Sequence, residues 1–210
     1  MLDERLKMIG NLKNFKRFCG LTVVCLLLAA CTDYESMIEE DFQAHMLDSR
    51  DGNVYDVVTI GSQTWMAQNL NYETPNSTCY KENPSYCDKY GRLYSWDAAM
   101  VACPAGWHLP TSDEWNDLFS VVGSSYSGYV LKSTSGWKDD GNGRDAFGFN
   151  VLPAGMGGDY LGENARFWTS TESKNGGSRA ISVDFSYDID GHFIGEIFYV
   201  YKYSVRCVKD

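Results

Sequence analysis

Histidine is scarce, with three copies in 210 residues. None of His45, His108 and His192 stands in a Ser–His–Asp pattern, and no Gly-x-Ser-x-Gly elbow occurs, so nucleophilic hydrolase chemistry has no visible machinery. The seven cysteines include no C-x-x-C pair. No histidine lies near Cys79 or Cys87, which argues against zinc and leaves no metal assigned. Basic charge is also short: 18 Lys and Arg face 28 Asp and Glu. Charge-driven binding to nucleic acid or anionic lipid is thereby disfavoured. No linker or low-complexity stretch divides residues 51–210, so one domain with one core is expected there.

What is present begins with an export signal. Arg5, Lys7, Lys13, Lys16 and Arg17 precede the apolar run Leu21–Ala30. That run has signal-peptide length and is too short to span a bilayer as a mature helix. It ends Leu28-Ala29-Ala30-Cys31, which resembles the bacterial lipoprotein box. Residues 1–31 therefore read as a lipoprotein signal with Cys31 as the lipidated first mature residue. Met8 is an alternative start to Met1, because Met1–Lys7 adds nothing that the signal needs. Several acyl chains on one residue anchor stably where one is marginal. Five basic and two acidic residues fall within 1–31, leaving 13 against 26 and a net charge of −13. Residues 32–50 are charged and aperiodic and read as an acidic tether to the membrane. Their acidic start resembles surface-export tethers of Gram-negative lipoproteins, which implies the outer membrane and the cell surface.

Four cysteines remain after the signal: Cys79, Cys87, Cys103 and Cys207. An even count in an exported domain implies disulfides, and four cysteines allow three connectivities. The favoured one is Cys79–Cys87, which closes a short loop around the turn signal Asn83-Pro84, with Cys103–Cys207. Once both bonds form, no thiol is left for redox or nucleophilic work.

The elements read as follows. Val54–Ile60 is a strand, Gly61-Ser62 a hairpin turn and Gln63–Leu70 the returning strand. Residues 71–90 form a polar loop, and Gly91–Trp96 is a short strand. Trp96–Cys103 is a helix stopped by Pro104. Thr111-Ser112-Asp113-Glu114 is a capping box opening a helix whose apolar face is Trp115, Leu118, Phe119 and Val122, closed by Gly123. Strands are expected at Phe147–Leu152, Arg166–Ser170, Arg179–Phe185, Phe193–Val200 and Ser204–Val208. Ser182, Asp184 and Ser186 alternate with Ile181, Val183 and Phe185, which suggests a sheet with one wet face. Helices followed by antiparallel strands give an α+β class.

Several runs carry a family resemblance. They are Tyr90-Gly91-Arg92-Leu93-Tyr94-Ser95-Trp96-Asp97-Ala98-Ala99-Met100, Cys103-Pro104-Ala105-Gly106-Trp107-His108-Leu109-Pro110 with Glu114-Trp115, Asp145-Ala146-Phe147-Gly148-Phe149, Leu152-Pro153-Ala154-Gly155 and Phe167-Trp168-Thr169-Ser170-Thr171-Glu172. In this order they resemble the Fibrobacter succinogenes major paralogous domain over residues 51–210. That domain is in turn similar to C-type-lectin-like domains. The resemblance implies two helices packed on a twisted antiparallel sheet with long loops, and a last-strand cysteine tied to the first, here Cys207 to Cys103. It also implies that the strands Val54–Ile60 and Ser204–Val208 are neighbours. It lends no catalytic residues. Calcium-type sugar binders use a Glu-Pro-Asn or Gln-Pro-Asp loop, absent here, and a late Trp-Asn-Asp, which in this chain falls at Trp115-Asn116-Asp117 inside a helix.

The candidate chemistry lies in loops 136–146 and 153–165. Asp139, Asp140, Asn142 and Asp145 offer hard oxygen atoms on a glycine-rich backbone, as calcium requires. The twelfth position of an EF-hand loop would be Asn150 or Val151, neither a glutamate, so calcium is at most an incidental cofactor and turn-capping is the simpler role. Trp96, Trp107, Trp115 and Trp168 read as core, whereas Trp137 and Tyr160 sit in polar loops and read as surface. His108, between Trp107 and Leu109, reads as buried and hydrogen-bonded. Glu163, Glu172 and Asp184 are carboxylates that sequence alone cannot place across a glycosidic bond. Formylglycine-generating enzymes, of related fold, need further cysteines, which are spent here. The expectation is a non-enzymatic binding or adhesion module for a glycan or an envelope protein, using Trp137, Asp139, Asp140, Asn142, Asp159 and Tyr160. The alternatives are a glycan-active hydrolase and a purely structural envelope lipoprotein.

Overall fold

The computed structural model describes residues 44–210. The expected signal segment, Cys31 and the first part of the expected tether lie outside the described residues. Chain order runs β1 (His45–Leu47), β2 (Val54–Ile60), β3 (Gln63–Met66), β4 (Ser77–Thr78), α1 (Pro84–Tyr90), β5 (Leu93–Tyr94), α2 (Trp96–Ala99), β6 (Trp107–His108), α3 (Ser112–Val122), α4 (Ser127–Leu131), β7 (Asn164–Glu172), β8 (Arg179–Ser186), β9 (Phe193–Phe198), β10 (Tyr203–Ser204) and β11 (Val208–Lys209). The class is α+β. The strands form two sheets, ordered β1-β2-β3-β11-β6 and β4-β5-β10-β7-β8-β9. Every ladder between them is antiparallel except β10 against β7.

Local sequence accounts for the best-formed elements. Gly61, at φ 62°, starts the two-residue turn that pairs Ile60 with Gln63; glycine takes this conformation without a Cβ penalty. Helix α3 starts on the expected capping box, with Thr111 Oγ1 accepting from Glu114 N at 3.1 Å and Glu114 Oε2 accepting from Thr111 N at 2.7 Å. It ends at Gly123, φ 91°. Its apolar face, Trp115, Leu118 and Phe119, is at most 1% exposed. Trp115 meets Trp65 at 4.8 Å and Phe167 at 5.4 Å. Burial of each such side chain contributes about 1.5–3 kcal/mol.

Other elements differ from the sequence reading. The helix expected at Trp96–Cys103 is regular only to Ala99. Val101 and Ala102 then donate to Ala98 and Ala99, tightening into turns ahead of the Cys103-Pro104 step, where helical geometry is disfavoured. Helices α1 and α4 add two to the expected pair; α1 is started by Asn83, whose side chain accepts from Ser85 N, with Pro84 in the first turn. No strand forms at Phe147–Leu152, because Gly148 and Asn150 take φ of 67° and 53°. Residues 45–47, read as tether, instead pair with Val54–Asp56 as β1. They are held in place by Asp48, fully buried and ion-paired to Arg50 at 2.7 Å.

The expected neighbourhood of the first and last strands is also corrected. β3 lies between β2 and β11, and the last expected strand is split. Tyr203–Ser204 belongs to the six-stranded sheet and Val208–Lys209 to the five-stranded one. Val205, Arg206 and Cys207, all 0% exposed, cross between the sheets. Two devices hold that crossing. Cys207 is bonded to Cys103, and Cys79 to Cys87, at S–S distances of 2.05 and 2.03 Å. Arg206 gives Nη2 to Asn69 Oδ1 at 2.6 Å, Nη1 to Met66 O at 3.2 Å and to Phe149 O, and Nη2 to Asn150 O at 3.4 Å. Burial pulls its guanidinium down to about 9, so it stays charged at neutral pH.

The polar face of strand β8 is only partly wet: Asp184 and Ser186 are half-buried. Ile181, Val183 and Phe185 point one way, and Val183 and Phe185 join the core around Trp115. Ala180 on the other side joins the core around Trp168 and Tyr203, and Ser182 is 2% exposed. Packing over Ala180 and Ser182 hides that end of the polar alternation, while Asp184 stays partly accessible.

Candidate functional site

The far face of β8 brings polar and aromatic side chains together near the expected loops. Arg166 on β7 is the cross-strand partner of Asp184 on β8, which in turn faces Phe193 on β9. Directly opposed residues share a sheet face, so the three form one row. Tyr203 of β10 extends it, since Arg166 Nη1 donates to the Tyr203 hydroxyl at 3.1 Å. Arg166 Nε lies 3.3 Å from Asp184 Oδ2, with the two side chains 25% and 19% exposed. The alignment falls short of a hydrogen bond, and Arg166 Nε and Asp184 Oδ1 have no hydrogen-bond partner among the described residues.

The electrostatics follow from this partial burial. Burial pushes the Asp184 carboxyl up, and Arg166 and Ser182 only partly pull it back. Burial lowers Arg166, but Asp184, Tyr203 and Tyr160 more than restore it, so its value is raised. A fixed guanidinium thus sits against a carboxylate whose charge is costly to hold. Exposed rings rim the pair: Tyr160 and Phe193 are 51% and 52% exposed. Tyr201 stacks on Tyr203 at 6.3 Å. Such a surface offers donors, an acceptor and flat apolar faces to a polar ligand.

The sequence-predicted residues are distributed unevenly around this face. Tyr160 stands at its rim and Asp159 next to it, paired with Met156 across a tight turn. Trp137, expected at the surface, is 5% exposed. Its indole N–H donates to Ser133 Oγ at 3.0 Å and to Val151 O at 3.2 Å, so the ring has a packing role and no access to a ligand. Asn142 Oδ1 accepts from Trp137 N at 3.0 Å, and Asp145 Oδ1 from Asn150 N at 2.7 Å. Both are occupied as turn caps. Asp139 and Asp140 are exposed on a tight turn at φ 49° and 59°. The two expected loops meet where Lys138 N donates to Gly162 O at 2.8 Å and Lys138 Nζ pairs with Glu163 at 3.0 Å. Among the described residues no group of three or more His, Cys, Asp or Glu is arranged to hold a metal ion.

His108 is hydrogen-bonded as expected but half-exposed. Its Nδ1 and Nε2 meet Asp210 and Glu114, each at 2.7 Å, tying the chain end to the start of α3. Sequence reasoning missed Arg166 and Tyr203 and left Asp184 unassigned. A charged residue within each of two apolar strands is the available signal, but their convergence depends on the β7–β8 register. A groove of about 520 Å³ opens beside the β9–β10 connection, lined by Asp97, Phe198, Tyr199 and Lys202 among others.

The model of the Fibrobacter succinogenes major domain matches residues 58–209, well over half of the chain. No curated protein and no solved structure matches it.

Proposed function

The chain belongs to the Fibrobacter succinogenes major domain family, and from that footing we propose a non-enzymatic binding or adhesion module, exported and lipid-anchored through Cys31 at the outer membrane, facing the cell surface. Its fold is read as C-type-lectin-like, on the support of the Cys103–Cys207 tie and of helix α3 packed on the sheet that carries β8. Its ligand is a glycan or an envelope protein. The observation that carries the reading is the half-buried Arg166–Asp184 pair ringed by Tyr160, Phe193 and Tyr201. Exposed aromatic rings beside a charged hydrogen-bonding pair are a frequent composition of recognition sites. Asp159 adjoins this face, and Asp139 and Asp140 lie on the neighbouring loop.

The non-enzymatic reading has separate support. Grooves lined by Asp97, by Glu82 and by Asp88 each contain one carboxylate, whereas glycosidic cleavage ordinarily needs two facing each other. The test is a screen of the full chain against a glycan array and envelope proteins, with and without a calcium chelator. Binding that survives chelation and is lost in Tyr160→Ala supports the reading. Turnover of a polysaccharide, or binding indifferent to Tyr160→Ala, overturns it. Incorporation of labelled fatty acid, lost in Cys31→Ser, tests the anchor.

A further inference from the structure

Strand β9 ends the six-stranded sheet, and among the described residues no strand covers its outer side. Its six residues, Phe-Ile-Gly-Glu-Ile-Phe, pair with β8 without a register break. The phase of the ladder follows from one bond: Tyr199 N donates to Ser178 O at 3.0 Å. Antiparallel partners alternate between bonded and unbonded pairs. Ile197, Gly195 and Phe193 therefore turn their backbone groups to β8, while Ile194, Glu196 and Phe198 turn theirs outward. The Phe198 carbonyl is taken by Tyr201 N at 3.2 Å, as that phase requires. Outward of β8 there remain the N–H groups of Ile194, Glu196 and Phe198 and the carbonyls of Ile194 and Glu196.

Exposed edges are usually blunted by lysine, proline, a bulge or a covering element. β9 has no lysine, proline or bulge. Its side chains are exposed and apolar on both faces: Phe193 52%, Ile194 41% and Phe198 44%, followed by Val200 at 78%. The one charge is Glu196, held by Asn175 Nδ2 at 2.9 and 3.1 Å.

We propose that β9 takes up an extended segment of another protein as an added strand, with a basic residue of that segment facing Glu196. Main-chain bonds would supply affinity and the alternate side chains selectivity. A second copy fits poorly. The self-pairing that is centred on the outward groups sets Glu196 against Glu196, and like charges directly opposed are unfavourable. The chain's net charge of −10 adds to that repulsion and favours a basic partner. This edge shares Phe193 with the Arg166–Asp184 face but uses the outward backbone groups of Ile194, Glu196 and Phe198, which that face does not use.

The probe is a ten-residue peptide alternating valine and threonine with a central lysine, compared with the same peptide carrying a central glutamate. Binding to the full chain is read by fluorescence anisotropy and by amide hydrogen exchange. The lysine peptide is expected to protect the amides of Ile194, Glu196 and Phe198 and to bind about tenfold more tightly than the glutamate peptide. Glu196→Lys is expected to reverse that preference. Ile194→Pro removes an amide that β8 does not use, so the fold persists and peptide binding is lost. Failure of both peptides to protect these amides, or an unchanged preference in Glu196→Lys, overturns the proposal. So does protection without any peptide, which would mean that a second copy or another part of this chain occupies the edge.

Discussion

Arg206→Met tests whether the crossing between the two sheets is held as described. Arg206 is fully buried and serves four acceptors: Asn69 Oδ1 and the carbonyls of Met66, Phe149 and Asn150. Leaving buried acceptors unmet costs about 1–3 kcal/mol each, so about 8 kcal/mol is at stake. Against this, methionine removes a buried charge. The drop of the guanidinium from its ordinary range to about 9 corresponds to roughly 5 kcal/mol, at about 1.4 kcal/mol per tenfold change. The difference leaves Arg206→Met destabilised by about 3 kcal/mol, near 6–12 °C in Tm for a domain of this size. Arg206→Lys keeps the charge but loses the planar fork that spans the acceptors, so it should lose at least as much. Urea unfolding with disulfides intact measures both. A lysine variant as stable as the parent, or a methionine variant more stable than the parent, would show that these bonds do not hold the crossing.

Three further predictions concern the frame around the site. Cys103→Ser opens a loop closed over a separation of 104 residues and should cost about 4–5 kcal/mol by chain entropy, read as a lower urea midpoint. His108 should make stability fall on the alkaline side. Burial lowers the imidazole, but the hydrogen bonds to Asp210 and Glu114 outweigh it and raise its value above 6.5. The bonus is therefore complete below pH 6.5 and disappears as pH climbs through the raised folded value. Its size is modest because the ring is 40% exposed. His108→Gln should flatten that part of the profile, and an unchanged profile would assign the dependence elsewhere. Gly141→Ala should destabilise without any change of φ, because a Cβ would strike the Tyr187 carbonyl; thermal unfolding no lower than in the parent would contradict that packing.

Much of the fold is legible in the sequence where the signal is local. The capping box at Thr111, the face Trp115/Leu118/Phe119 and the glycine turn at Gly61 are set by neighbours a few residues apart. The disulfide pattern is legible because four cysteines follow residue 31 and two of them, Cys79 and Cys87, lie close together around a turn. What is not legible depends on long-range register. The split of Ser204–Val208 between two sheets leaves no mark on an apolar run that reads as one strand. Trp137 looks exposed because its neighbours are polar, yet Gly136, at φ 96°, turns the chain so that the ring packs inward. The glycines at 141 and 143 suggest ligand-loop flexibility, but they serve close backbone approach to Tyr187 and to Lys132 and Tyr129. Of the candidate site, Tyr160 is accessible to sequence reasoning as a lone aromatic in a polar loop. Arg166, Asp184 and Tyr203 converge only after β7, β8 and β10 are aligned.

Binding is proposed on the sheet face around Arg166 and Asp184. Hydroxyl-radical footprinting of the full chain, with and without a bound glycan or envelope protein, addresses it most directly. Tyr160, Phe193 and Tyr201 are expected to be protected together, with Trp137 unreactive in both states. Protection confined to other surfaces, with those three rings equally oxidised in both states, would contradict it.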